Sequence, residues 1–350
     1  MKKLSLLLLL VGCLATQDLS AQIGGRYAFS GAVLPTNARI TGLGGTLIQV
    51  LDDDVALAQL NPAVTDSSMH NQLSLNHNFH FAGISNGNLA YGRHLGFWGL
   101  SGHAALQYFN YGTFTRADRF GTRLDEFSGG EIGLALGVGK QLNERIRGGV
   151  NVKLLRGNFE SYGSVGFGVD LGLHYQKNDK TTWAIVLRNV GGELSPIVDE
   201  RRSLPIDLQI GFSKRLAHLP FRLSVTGHHL HEPYIRYDDP DVDFTVDISG
   251  GVTDKSGLVK NIDNVFRHLI IGGEFLLGKN EGFSLRFGYD HQKNRELKVV
   301  GLQHRGGFSA GVGFYIKRIK VDYGFGAYHL AGAVHHFSLR YNVGTIFNKI

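Results

Sequence analysis

From residue 72 onward the chain alternates apolar and polar positions with period two. Leu73, Leu75, Phe79 and Phe81 stand opposite Gln72, Ser74, Asn76, Asn78 and His80. Successive side chains of an extended backbone point to opposite faces, so this stretch predicts a strand with one greasy and one polar face. The pattern returns with Trp98, Leu100, Ala104, Leu106 and Tyr108 opposite Ser101, His103 and Gln107. It returns again with Ile132, Leu134, Leu136 and Val138 opposite Glu131, Gly133, Gly137 and Gly139. It is most regular where Val165, Phe167, Val169, Leu171, Leu173 and Tyr175 oppose Ser164, Gly166, Gly168, Asp170, Gly172 and His174. Further strands are expected at 206–212, 221–229, 242–248, 269–277, 283–289, 308–316 and 321–327. A last strand, 334–343, sets Phe337, Leu339, Tyr341 and Val343 against Ser338, Arg340 and Asn342, at the end of the chain where a ring would close onto its first strand. The spacing allows hairpin connections and about fourteen to sixteen strands.

A large soluble sandwich or propeller would also alternate. Aromatic residues at many strand ends (Tyr91, Trp98, Tyr108, Phe109, Tyr175, Trp183, Tyr289, Tyr341) fit the interfacial girdles of a membrane barrel instead. None of the seven prolines falls between Ala63 and Ser195 or after Pro240, which leaves long ladders uninterrupted. Beyond the N-terminus the chain has no apolar run of the roughly 18 residues a membrane helix needs. A mean hydropathy of −0.07 is compatible with a barrel, because half of each strand would face the lumen. The 48 glycines, well above the usual share, suit strands in close approach to other backbone. The expected fold is all-β: a transmembrane antiparallel β-barrel of about 14 strands with an N-terminal plug segment.

Lys2 and Lys3, the apolar stretch 4–12 and Leu19-Ser20-Ala21 make residues 1–21 a secretory signal, with cleavage expected before Gln22. Leu10-Val11-Gly12-Cys13 also fits a lipobox, in which Cys13 would be lipidated. Cys13 is the only cysteine, so a disulfide framework and a cysteine zinc site are excluded from the mature chain. The formal charge of +6 is spread among carboxylates rather than gathered into a stripe, which excludes a nucleic-acid partner and fits a rim near lipid phosphate. Longer connections at 110–128, 191–205, 231–241 and 250–267 are expected extracellular loops, the last with a short helix over 258–266. Asp238-Asp239-Pro240-Asp241 offers carboxylates for calcium, although a solvated acidic loop explains them as well.

The segment 38–63 carries Ala38-Arg39-Ile40-Thr41-Gly42-Leu43-Gly44-Gly45, then Asp52-Asp53-Asp54, then Asn61-Pro62-Ala63. It resembles the start of the PorV and FadL-like outer-membrane barrels. Gly24-Gly25-Arg26-Tyr27-Ala28-Phe29 with Leu34-Pro35, and Tyr111-Gly112-Thr113-Phe114 followed by Asp118, Gly121 and Phe127, are similar to the members of that group that serve type IX secretion. The resemblance is strongest over 23–131 and weakens to a general barrel pattern. Arg116-Ala117 before Asp118 and Arg119 after it depart from relatives. The resemblance implies residues 22–66 as a plug, 67–350 as the barrel, and Arg39, Gly44, Gly45, Asn61 and Pro62 as its structural motif. It further implies a noncatalytic part of the type IX attachment machinery that holds a cell-surface protein near lipopolysaccharide, with Tyr111, Phe114 and Asp118 in partner-binding loops. On the residues themselves, Gly44 and Gly45 permit close packing and Pro62 fixes a turn after Asn61.

Sixteen histidines raise a metal site, and the densest group is His228-His229, His231 and Glu232; on a strand His229 and His231 would share a face. A strand end at the rim or lumen is the plainer reading, and no metal or cofactor is expected. No nucleophile elbow, phosphate loop or zinc-hydrolase pattern appears. Gly166-Phe167-Gly168-Val169-Asp170-Leu171-Gly172 only alternates along a strand, so no catalytic residue is assigned. The rival function is a FadL-like transporter of a hydrophobic ligand, which requires a continuous apolar pocket and a lateral opening, often marked by a strand kink.

Overall fold

The computed structural model describes residues 26–197, 200–236, 244–246, 252–254, 257–278, 281–298 and 305–344. The signal segment with Cys13, Gly24-Gly25 and the Asp238-Asp239-Pro240-Asp241 run lie outside them. Fourteen antiparallel strands form one closed ring. We number them β1 (Gln72–Phe79), β2 (Ser85–His94), β3 (Leu100–Ala117), β4 (Arg123–Gln141), β5 (Ile146–Phe159), β6 (Tyr162–Asn178) and β7 (Thr181–Ser195). The ring continues with β8 (Asp207–Arg215), β9 (Phe221–Gly227), β10 (Leu269–Leu277), β11 (Phe283–Asp290), β12 (Phe308–Ile316), β13 (Ile319–His329) and β14 (Gly332–Asn342). The last strand closes onto the first, with Gln72 opposite Asn342 and Leu75 opposite Leu339. No edge is left unpaired, as a sheet in lipid requires.

The apolar parity of each strand points outward. On β6, Phe167, Leu171, Leu173 and Tyr175 are exposed, while Ser164, Asp170 and His174 are buried. Neighbouring strands extend the band through Leu134 and Leu136, Val150 and Val152, and Ile185. An exposed apolar belt of this extent suits contact with lipid. Phe109, expected in the girdle, is instead 7% exposed, because it shares the inward parity of His103 and Gln107.

Connections at one rim, on the side where β1 begins and β14 ends, have two to five residues. The opposite rim carries the long connections 196–206, 228–268 and 291–307. Two expectations change here. Most of 110–128 is strand: β3 and β4 pair on through Phe114 opposite Phe127 to Ala117 opposite Arg123, past the reach of β2 and β5. The strand expected at 242–248 is a short hairpin outside the ring, Phe244–Val246 with Val252–Asp254.

The chain from residue 26 to 71 folds inside the ring, and the main apolar core is there. Ile40, Leu43, Leu47, Ile48, Leu57, Leu60 and Met69 pack on one another and on the small wall residues Ala90, Ala105, Ala135 and Ala184. This hatch contains helix α1 (Ala38–Gly42), capped by the Asn37 side chain on the Ile40 N–H, and short 3-10 turns led by Asp54 and Asn61.

Candidate functional site

The hatch touches the wall through two patches where strand glycines admit backbone. Asn61-Pro62-Ala63 lies against β4, β5 and β6: a Cβ added to Gly149 would sit 2.3 Å from the Pro62 carbonyl carbon, and one on Gly172 2.1 Å from Asn61 Oδ1. Across the lumen α1 lies against β11, β12 and β13, where a Cβ on Gly288 would be 2.2 Å from the Gly44 nitrogen and one on Gly324 2.2 Å from the Ala38 oxygen. Gly44 and Gly45 themselves hold φ of 97° and 105°, which side chains rarely adopt. Asn61 spends both ends of its amide locally, Oδ1 accepting from the Ala63 N–H and Nδ2 donating to the Ile48 carbonyl.

Between the patches runs a buried ion network. Arg39 donates from Nε and Nη2 to the two oxygens of Glu274 on β10, at 3.1 and 3.0 Å, and from Nη1 to Asp52 at 2.8 Å. Arg222 on β9 and Arg286 on β11 also pair with Glu274, and Arg286 continues to Asp322 on β13 at 2.6 Å. Arg340 on β14 meets Asp53 and Asp54 of the hatch. Four arginines thus meet five carboxylates, and Lys320 points inward on the same face of β13 as Asp322. Buried charges persist when paired with opposite charge, and removal of one partner leaves the others uncompensated. The network therefore latches the hatch to strands β9 to β14.

On the other side of the ring, Lys153 pairs with Asp170 at 2.7 Å and donates to Asn189 Oδ1. Asn189 takes φ of 57°, and the β6–β7 register shifts between Val169 and Leu171. This is a bulge in the β6–β7 ladder, the kind of irregularity that often marks a lateral opening. Inside it Leu204 packs with Ala28, Phe29 and Leu155. A small cavity beside them, lined by Ala32, Gln59, Ala105, Lys153, Leu155 and Arg188 among others, measures about 20 Å³.

At the long-loop rim the β3–β4 hairpin stands above its neighbours. Tyr111 hydrogen-bonds Glu131 at 3.0 Å, and Phe114 stacks on Phe127 with centroids 5.5 Å apart. Asp118 closes the tip: its side chain accepts from the N–H groups of Phe120 and Thr122, and these bonds hold its carboxyl below the usual range. Phe120 and Leu124 are exposed beside Arg116, Arg119 and Arg123. Tyr111, Phe114 and Asp118 therefore share one hairpin, far from Arg39, Gly44, Gly45, Asn61 and Pro62 in the hatch.

The strand expected to carry the histidine group ends earlier, at Gly227. His229 turns to φ of 53°, off any strand face, and its ring meets that of His228 and lies 6.2 Å from that of His231. Among the described residues, Asp207, His228 and His229 form the one grouping with ligand atoms within 4.8 Å of one another. The Asp207 oxygens already accept from the His229 N–H and from Gln209. Sequence reasoning missed Glu274, Arg286 and Asp322, although inward-parity charges on otherwise apolar strands are the signal that marks them.

The sequence matches no family model and no curated protein. Among solved structures, the chain is similar to the toluene transporter TodX of Pseudomonas putida, at a TM-score of 0.53 and 13% identity over 89% of this chain and 99% of that one. The toluene transporter TbuX of Ralstonia pickettii gives 0.52 and 12% over 89% and 97%. A FadL homologue of Pseudomonas aeruginosa gives 0.50 and 11% over 88% and 98%. The fold is that of the FadL-like outer-membrane barrels: fourteen antiparallel strands closed around an internal segment.

Proposed function

We propose that this chain is a noncatalytic outer-membrane barrel of the FadL-like class, with its long-loop rim outside the cell, that anchors a surface partner of the type IX secretion system. The segments around Tyr27 and Tyr111 resemble PorQ of that system, and the one around Arg39 resembles the PorV and FadL-like barrels. The corresponding partner is a PorZ-like surface protein, with PorU, PorV and lipopolysaccharide as neighbours. The observation that carries the proposal is the latched lumen. Pockets for small ligands run to roughly 300–1,000 Å³ and are mostly apolar. The cavity beside β5 and β7 is about 20 Å³, and Lys153 and Arg188 join alanines and leucines in its lining. The tall hairpin, with Phe120 and Leu124 exposed at its tip, supplies a surface for docking.

The second reading is a FadL-like transporter of a hydrophobic ligand. On the structural comparisons alone it is the better supported, since TodX and TbuX are described as toluene transporters. The β6–β7 bulge also favours it. Likeness at 12–13% identity is likeness of fold, and one fold hosts many functions. A mild-detergent pull-down of the tagged chain, with and without hairpin residues 113–128, separates the two. Recovery of a large surface protein only with the intact hairpin, together with a secretion defect on deletion, supports anchoring. A solitary barrel whose deletion leaves secretion intact but stops uptake of an aromatic hydrocarbon supports transport.

A further inference from the structure

The connection between β9 and β10 contains an amphipathic helix, α2 (Gly257–Arg267), that is turned inside out. Leu258, Val259, Ile262, Val265 and Phe266 follow the spacing of one helical face, and each is between 49% and 69% exposed. The polar face is the buried one. Asn264 accepts from the backbone N–H groups of Ile235 and Arg236 and donates to the Pro233 carbonyl. Asp263 binds Arg267 at 2.9 Å, Arg295 at 2.8 Å and His291 Nε2 at 3.1 Å, with Arg236 at 3.4 Å. Helix α2 is thus pinned to the rim by its polar side with its apolar side facing away.

That apolar side continues the outer wall of the barrel. Phe266 meets the His291 ring, and His291 Nδ1 meets the hydroxyl of Tyr289 at 2.9 Å. Tyr289 lies on the outward parity of β11 with Phe287, and its ring packs on Phe308 at 4.9 Å. Aromatic rings at the end of a lipid-facing strand mark the membrane boundary, and a helix with one apolar face and low net hydrophobicity lies flat there. The arginines around Asp263 outnumber its charge at the polar edge of the helix, where lipid phosphates would lie.

We infer that α2 is an interfacial helix whose apolar face is seated in the outer-leaflet lipid beside β10 and β11. The inference rests on the membrane-barrel reading above. The test uses the full chain with Cys13→Ser, a single cysteine carrying an environment-sensitive dye, and phosphatidylcholine–phosphatidylglycerol vesicles with acyl-chain nitroxide lipids. Val265→Cys reports on α2, Phe287→Cys on the lipid-facing wall, and Phe120→Cys on the hairpin tip. The expected result is blue-shifted emission and nitroxide quenching at 265 comparable to 287, with 120 quenched by aqueous iodide only. Iodide quenching at 265 equal to that at 120, with 287 still quenched by lipid, overturns the interfacial helix and leaves the barrel reading standing. Shielding of 265 from both quenchers also overturns it, because a protein surface then covers the face. Loss of lipid quenching at 287 overturns the membrane reading itself.

Discussion

Glycine on the inner wall is the residue-scale feature on which the hatch depends. Gly139, Gly149 and Gly172 give Asn61-Pro62-Ala63 its seat: a Cβ on Gly139 or Gly149 meets main chain, and one on Gly172 meets the Asn61 amide oxygen. Gly149→Val is expected to destabilise the folded state by about 1–3 kcal/mol through overpacking. The measure is the denaturation midpoint of the heat-modifiable form on gels; an unchanged midpoint contradicts the contact. Arg39→Ala strips one guanidinium from Glu274 and Asp52, and a loss of about 3–5 kcal/mol is expected for a broken buried pair. Asn61→Ala is expected to lower the yield of folded barrel as well, because it loses both the cap on Ala63 and the bond to Ile48. Normal yields of both variants would count against a structural role. The alternating glycines of β4 and β6 were legible in the sequence, but their purpose was not. A glycine pattern says that something approaches the strand without saying what.

At the scale of elements, period two carried far. The spans 269–277 and 308–316 agree with β10 and β12, and the helix expected at 258–266 lies within α2. The same parity places Phe109 inside, beside Gln107, in the middle of β3. The hairpin at 110–128 was hidden because both faces of an extension beyond the neighbouring strands are open to solvent, which removes the alternation. The exposed face of α2 was equally illegible: amphipathicity fixes that a helix has two sides, not which one is buried. Asp263 provides a pH test of this element. Burial raises its pKa, but hydrogen bonds from Arg267 and His291 outweigh this and bring it down to about 2. A carboxyl depressed in the folded state contributes fully above its unfolded value of 3.8, and the contribution fades as pH falls toward about 2. The loop ahead of β10 should therefore resist an acid-active protease at pH near 4 and become cleavable in that lower window. In Asp263→Asn it should be cleavable throughout; equal protection of both chains at all pH values contradicts the pin.

At the scale of the whole molecule, the barrel reverses the arrangement of a soluble protein. Its broadest apolar surface faces outward, its ionic network lies inside, and its apolar core belongs to a segment of the chain before the first strand. A closed ring of about fourteen strands was expected from the alternation, although the pattern did not single out β2, β5 and β7, and 242–248 lies outside the ring. The latch could not be read that way, since its members come from Arg39, Asp52, Glu274, Arg286, Asp322 and Arg340, brought together only when the ring closes. A latched, filled lumen is the central claim, and electrical conductance across a planar bilayer tests it most directly. The full chain should be silent, and Arg39→Ala combined with Arg340→Ala should open ion-conducting events as the hatch loosens. Steady conductance by the unmodified chain, or silence in the folded double variant, would contradict the latch.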